Sequence, residues 1–314
     1  MKFSTLRDEF FIYYGKQKYM AAFELANKFV PGNSGVETTV TNWKLCAASL
    51  AGKPDLVISV FQKAVDNGFF FPASALRGDP DLAAMQDNPE YQRLVAICEQ
   101  RHRSAQKKAK PVLFTTLPET QTNGSYPLLM AFHGWGQPID DFSPHWNTLA
   151  KQGWLVALAQ SSQVVGNGIR VWDNLERSLQ EATKHYRTLV KQHPIDQERI
   201  VLAGFSQGGG LAVWLALTQA IPVCGVMGVG PYLDEIDALA PTLPARPIPN
   251  VRSYLVSGAE ENDEGMFAKM GALFAEKGIP FHHEIVPDIG HEFPPDFDQT
   301  LQRAMDFIFE NNKE

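Results

Sequence analysis

From Pro111 to the end of the chain, short uninterrupted apolar runs alternate with helix-patterned stretches, and this alternation constrains the fold more than any other feature. The strand candidates are Pro111–Leu117, Pro127–Phe132, Trp154–Ala159, Arg199–Ala203, Val223–Val229, Val251–Ser257 and Phe281–Pro287. Between them Asp141–Gln152, Val171–Gln192, Gly208–Gln219, Glu264–Lys277 and Pro295–Asn311 carry helical patterns. A strand that is apolar along its whole length has no solvent face, so helices must cover both sides of its sheet. The expected class is α/β, a mostly parallel sheet flanked by helices. Sites on such sheets gather outside the carboxyl ends of the strands.

Residues 1 to 109 differ in character. Tyr19, Ala22, Phe23, Ala26 and Phe29 recur at helical spacing, as do Leu56, Val57, Val60, Phe61 and Ala64. Trp43, Leu45, Cys46, Ala47 and Leu50 supply a helix between them. Gly15-Lys16 and Gly52-Lys53 open the two outer segments 37 residues apart, near the period of helix-turn-helix repeats. A smaller all-α, tetratricopeptide-like domain is therefore expected over 1–109. Asp79 with Pro80, and Asn88 with Pro89, mark two further helix starts. The polar run Glu99–Lys108 marks the boundary with a second domain over 110–314.

Gly204-Phe205-Ser206-Gln207-Gly208 joins the apolar run Arg199–Ala203 to an apolar helical stretch. Strand, glycine turn and helix form the context of a nucleophile elbow, with Ser206 at its tip. A serine hydroxyl is a poor nucleophile near neutral pH and needs a base, itself oriented by a carboxylate. In elbow architectures the order along the chain is serine, acid, histidine. His282, His283 and His291 follow Ser206; the first two fall inside a strand run. His291, in the loop Asp288–Phe293 after the last strand, is the expected base. The acid should follow the strand Val251–Ser257, where Glu260, Glu261, Asp263 and Glu264 compete. Some of these carboxylates would simply favour the start of the following helix. Phe132-His133-Gly134-Trp135-Gly136 resembles an oxyanion turn. The backbone N–H groups of Trp135 and Gln207 are the expected donors. His133 is expected to fix that turn.

These segments resemble the α/β-hydrolase superfamily over about residues 111–311. Within it they resemble the phospholipase/carboxylesterase branch, which includes acyl-protein thioesterases. The likeness is carried by His133-Gly134-Trp135-Gly136, Ile195–Ile200, Gly204-Phe205-Ser206-Gln207-Gly208-Gly209 and Gly290-His291-Glu292-Phe293. It implies a hydrolase with a Ser–acid–His triad that needs no metal and no cofactor. In related elbows the acid commonly lies three residues after the glycine that ends the strand, which points to Glu261, with Asp263 the runner-up. The branch typically carries aspartate there, and this chain departs from it.

Trp172 and Tyr232 are expected in the substrate pocket, with plain packing as the alternative for each. Ester, thioester and amide cleavage pass through the same tetrahedral intermediate. A carboxylesterase acting on small esters is therefore expected, with thioesterase and peptidase as alternatives. A partner-binding protein without catalysis is the remaining one. The helical half offers a surface for a second copy or another protein. The net charge of −7 and pI near 5.7 argue against a nucleic-acid or anionic-membrane binder. Three widely spaced cysteines form no metal motif. With no apolar leader and no run of membrane-spanning length, a cytoplasmic protein is expected.

Overall fold

The computed structural model describes residues 1, 3–118, 124–233, 236–243, 247–261 and 264–310, and of Ser4 and Glu264 the main chain alone. The chain divides into two compact units, 1–109 with 162–170 and 110–161 with 171–314.

The first unit holds α1 (Phe3–Gly15), α2 (Tyr19–Lys28), α3 (Ser34–Leu50), α4 (Pro54–Asp66), α5 (Ala73–Gly78) and α6 (Pro89–Lys108). Its starts follow local chemistry. Asn33 accepts the Val36 N–H at 2.9 Å. Asn88 accepts those of Glu90 and Tyr91, with Pro89 at the first helical position. Asp79 caps a short 3₁₀ turn over Pro80–Met85. Leu6, Phe10, Phe23, Leu45, Phe61 and Tyr91 are buried in one core. Segment 162–170, between the expected strand Trp154–Ala159 and the expected helix Val171–Gln192, forms most of a hairpin, β1 (Gln163–Gly166) and β2 (Ile169–Val171). Val164 enters the helical core, and its N–H and C=O bond to Gln106 and His102 of α6. Thr38 of α3 donates to the carbonyl of Asn167 at 2.9 Å.

The second unit is a seven-stranded sheet. Its strands are β3 (Val112–Thr116), β4 (Tyr126–Phe132), β5 (Leu155–Gln160), β6 (Ile195–Phe205), β7 (Gly225–Val229), β8 (Arg252–Gly258) and β9 (Phe281–Val286). The order is β3-β5-β4-β6-β7-β8-β9, with β3 antiparallel to β5 and every other pair parallel. Alternation along β4 divides the core. Leu128, Met130 and Phe132 join a cluster with residues of α7 (Leu175–Gln192), α8 (Gln207–Leu217) and α9 (Glu264–Glu276). Leu129 and Ala131 face Phe142, Trp146, Leu301 and Met305, from the helices Ile139–Trp146 and Phe297–Ile308. The α8 stretch Leu211–Leu217 is buried on every face, as a helix clamped between sheet and loops requires. The predicted helix Val171–Gln192 starts only at Leu175, where Asn174 accepts the Arg177 N–H. Among the described residues no helix is long and apolar enough to cross a membrane.

Candidate active site

β6 ends at Phe205 and α8 begins at Gln207, leaving Ser206 alone in the turn with φ 53° and ψ −124°. That left-handed conformation is costly for a residue with a side chain. It is held by three main-chain hydrogen bonds. Ser206 N–H donates to the Val229 carbonyl at 2.8 Å. Its carbonyl accepts from Gly210 at 3.0 Å and from Tyr232 at 2.9 Å. Gly208 fits because it has no side chain: a Cβ there would lie 2.1 Å from the Phe132 carbonyl oxygen.

The turn after β4 packs on the elbow, with the Gly134 Cβ position 3.3 Å from Ser206 Cβ. His133 is fully buried. Its Nε2 accepts the Ser161 N–H at 3.3 Å, so Nδ1 carries the proton and donates to the Gly134 carbonyl at 2.7 Å. Both ring nitrogens are thus committed to structure, as the sequence suggested. Gly134 N–H donates to Gln137 Oε1 at 3.0 Å, and the next residue is Trp135. The Gln207 N–H lies in the first turn of α8, where the helix itself offers no acceptor.

His291 follows β9 in a loop, and its Nδ1 lies 2.7 Å from Glu261 Oε1. The Glu261 side chain is 7% exposed and that of His291 42%. Glu260, next to it, is exposed. Asp263 lies outside the described residues. The pair sits against the elbow's neighbour: a Cβ on Gly230 would lie 2.9 Å from both Glu261 Oε1 and His291 Nδ1. The Phe205 ring stands 4.9 Å from that of His291. Phe293 stacks on Phe205 at 4.7 Å, and His145 on Phe293 at 3.7 Å.

Ser206, Gln207, Trp135, Trp172 and Tyr232 line one cavity of about 410 Å³, together with Leu211, Leu233 and Asp173. Trp172 is buried, its indole N–H bonded to the His133 carbonyl at 3.0 Å. Trp135 and Tyr232 are half exposed. The Gln207 side chain is gripped at both ends. Its Oε1 accepts the Trp172 N–H at 2.8 Å and its Nε2 donates to Asp173 Oδ1 at 2.7 Å. Sequence reasoning gave no role of their own to Asp173, Gln137 and Phe293; a Trp-Asp pair just before a long helix was the available signal for the first. A larger cavity, about 750 Å³, is lined by Gln197, Cys224, Asn250, Gly278 and Ile308, near the amino ends of the strands. It contains none of these residues.

In the helical unit Cys46, Asp79 and Asp81 bring three ligand-type atoms within 4.8 Å of one another. They are bonded within the fold. Cys46 Sγ donates to Asp79 at 3.4 Å, Asp79 accepts the Asp81 N–H, and Asp81 accepts from Tyr14. Burial, with Asp79 beside it, pushes the Cys46 thiol far above its ordinary value, so the sulfur stays protonated.

Residues 2–106 match the model of the A/B hydrolase-like N-terminal domain, and residues 167–305 that of the phospholipase/carboxylesterase family. Residues 167–305 are thus similar to the phospholipase/carboxylesterase family, in a fold of the α/β-hydrolase type. Within that family, an acyl-protein thioesterase 1 of Aspergillus fumigatus is 31% identical over 140 residues, 41% of this chain. The match spans 57% of that relative's length. A solved structure of an uncharacterized protein from Bacillus cereus covers 99% of this chain and 100% of its own, with TM-score 0.54 and 25% identity. A Bacillus cereus carboxylesterase shares the fold over 65% of this chain and 98% of its own, with TM-score 0.52 and 14% identity. A thermophilic esterase of Thermogutta terrifontis does so over 64% and 88%, with TM-score 0.50 and 16% identity.

Proposed function

We propose that this hydrolase cleaves carboxylic esters through an acyl-enzyme on Ser206, in a catalytic domain spanning 110–314. The observation that carries the reading is the Glu261–His291 pair packed beside the strained elbow. His291 Nε2 takes the Ser206 proton as Oγ attacks the ester carbonyl carbon. Glu261 holds the Nδ1–H and stabilises the imidazolium that forms. The carbonyl oxygen becomes an oxyanion, received by the N–H groups of Trp135 and Gln207. Collapse of the tetrahedral intermediate breaks the ester C–O bond, and His291 gives its proton to the departing alkoxide. Water, deprotonated by His291, then attacks the acyl-enzyme and releases the acid and Ser206.

Ser206→Ala should abolish turnover of short activated esters and labelling by a fluorophosphonate. His291→Ala should weaken both. Appreciable turnover by Ser206→Ala would end the assignment. The likeness to an acyl-protein thioesterase supports a thioester variant of the same reaction. Paired oxo- and thioesters of one acyl chain separate the two, the better substrate being the one with the higher kcat/KM.

A further inference from the structure

Among the described residues that line the Ser206 cavity, Asp173 is the sole charged one. Its Oδ1 is held by Gln207 Nε2 at 2.7 Å. No hydrogen bond is made to its Oδ2 among the described residues, and the side chain is exposed. Gln207 therefore fixes the orientation of a carboxylate whose second oxygen is left for a ligand. Gln207 is also the residue whose N–H is assigned to the oxyanion, so the carboxylate is tied directly to the reacting centre.

The other walls share a chemistry. Trp135 is 51% exposed and Tyr232 43%, and both line the cavity with Trp172. Large aromatic side chains partly exposed beside a carboxylate suit a cation of low hydration, which gains from the ring faces as well as from the charge. Leu211 and Leu233 complete an apolar lining against which alkyl groups on nitrogen can pack. The chain's net charge of −7 acts in the same direction, drawing cations and repelling anions at long range.

We propose that the cavity selects esters bearing a quaternary or alkylated ammonium group, held between Asp173 and the rings of Trp135 and Tyr232. The inference rests on the serine-hydrolase reading above and names its substrate class. A carboxylate-bearing ester meets Asp173 with like charge and is disfavoured.

The test compares butyrylcholine with 3,3-dimethylbutyl butyrate, in which carbon replaces the charged nitrogen at nearly constant volume. A second pair places the same change in the acyl chain: 4-nitrophenyl esters of 4-(trimethylammonio)butanoate and 5,5-dimethylhexanoate. Each kcat/KM is divided by the ester's own rate of hydroxide hydrolysis, which removes intrinsic reactivity. In at least one pair the cationic ester should be favoured roughly three- to tenfold over the neutral one, the range expected of a partly exposed charge and ring contact. Asp173→Asn keeps an acceptor for Gln207 but removes the charge, and should bring that ratio close to one. In the wild-type protein, raising salt from about 0.05 to about 0.5 M should compress the same ratio by screening; this arm does not depend on the variant folding. Neutral esters hydrolysed with no cationic preference in either pair would overturn the inference and leave the hydrolase reading standing. So would a preference that Asp173→Asn retains. Inactivity toward all four esters would remove the hydrolase reading and this inference with it.

Discussion

His291 Nδ1 lies 2.7 Å from a Glu261 oxygen that is almost wholly withdrawn from solvent. A carboxylate so placed accepts one strong, directed bond from an imidazole N–H and fixes which ring nitrogen faces the elbow. Glu261→Gln keeps the shape and removes the charge that stabilises an imidazolium. Turnover of an activated ester should fall by about 10³- to 10⁴-fold, with KM little changed. Asp263→Asn should leave turnover near the wild-type value. If the two variants exchanged these results, the acid would be Asp263.

Phe205, Phe293 and His145 form a stack whose inner end meets the His291 ring. Phe205 directly precedes Ser206, so the stack meets the elbow at one side and the His291 ring at the other. Phe293→Leu removes the flat face on which Phe205 rests. It should lower kcat about tenfold, since loss of near-attack alignment is costly. KM should move little, and fluorophosphonate labelling should slow in proportion to kcat. A variant with unchanged kcat would show that His291 is held by Glu261 alone.

Burial lowers the pKa of His145 below its ordinary 6.5, with Asp298 and Asp141 opposing the shift less strongly. The neutral ring is therefore the form the fold accommodates. The stability linked to this histidine is fully present above about pH 6.5 and is lost as pH falls towards its depressed folded value. His145→Phe keeps an aromatic ring between Phe293 and Phe297 and cannot take up a proton. Its Tm should fall less than that of the wild type between about pH 7 and pH 5. Parallel curves for the two proteins would show that other groups govern the acid limb.

The elbow was legible in the sequence because everything it needs is local: an apolar strand, glycines around one serine, an apolar helix. His291 was legible because chain order leaves one histidine after the last strand and outside it. Glu261 was harder, since four carboxylates follow one strand closely and their order along the chain does not say which meets His291. Asp173 was not legible because its partner, Gln207, lies far along the chain and meets it only through the sheet. The hairpin of β1 and β2 failed for a similar reason. Its strands are too short to show a period, and Thr38, His102 and Gln106, which hold it, come from helices that precede it by more than 50 residues. The run Val171–Gln192 therefore looked like one helix, although Asn174 is a good cap for a start at Leu175.

Those contacts tie segment 162–170 to residues before 110. Segment 162–170 lies between β5 and α7 in sequence, yet belongs to the helical unit. There Val164 is buried in the helical core, Gln106 bonds both the Ser162 carbonyl and the Val164 N–H, and Thr38 bonds the Asn167 carbonyl. A fragment of residues 110–314 strands these groups in water and frees the two residues that lead directly to Trp172. Such a fragment should unfold at lower temperature than the intact chain, or aggregate. Where it stays folded, the loss of a fixed Trp172 wall should raise KM for butyrate esters more than it lowers kcat. A milder version leaves the helical domain in place: Gln106→Ala with His102→Ala should lower Tm by a few degrees and raise KM in the same direction. Each buried hydrogen bond removed is worth about 1 kcal/mol, which sets that scale. Unchanged KM in both the fragment and the double variant would show that Trp172 is held by its bonds to Gln207 and His133 without help from the hairpin.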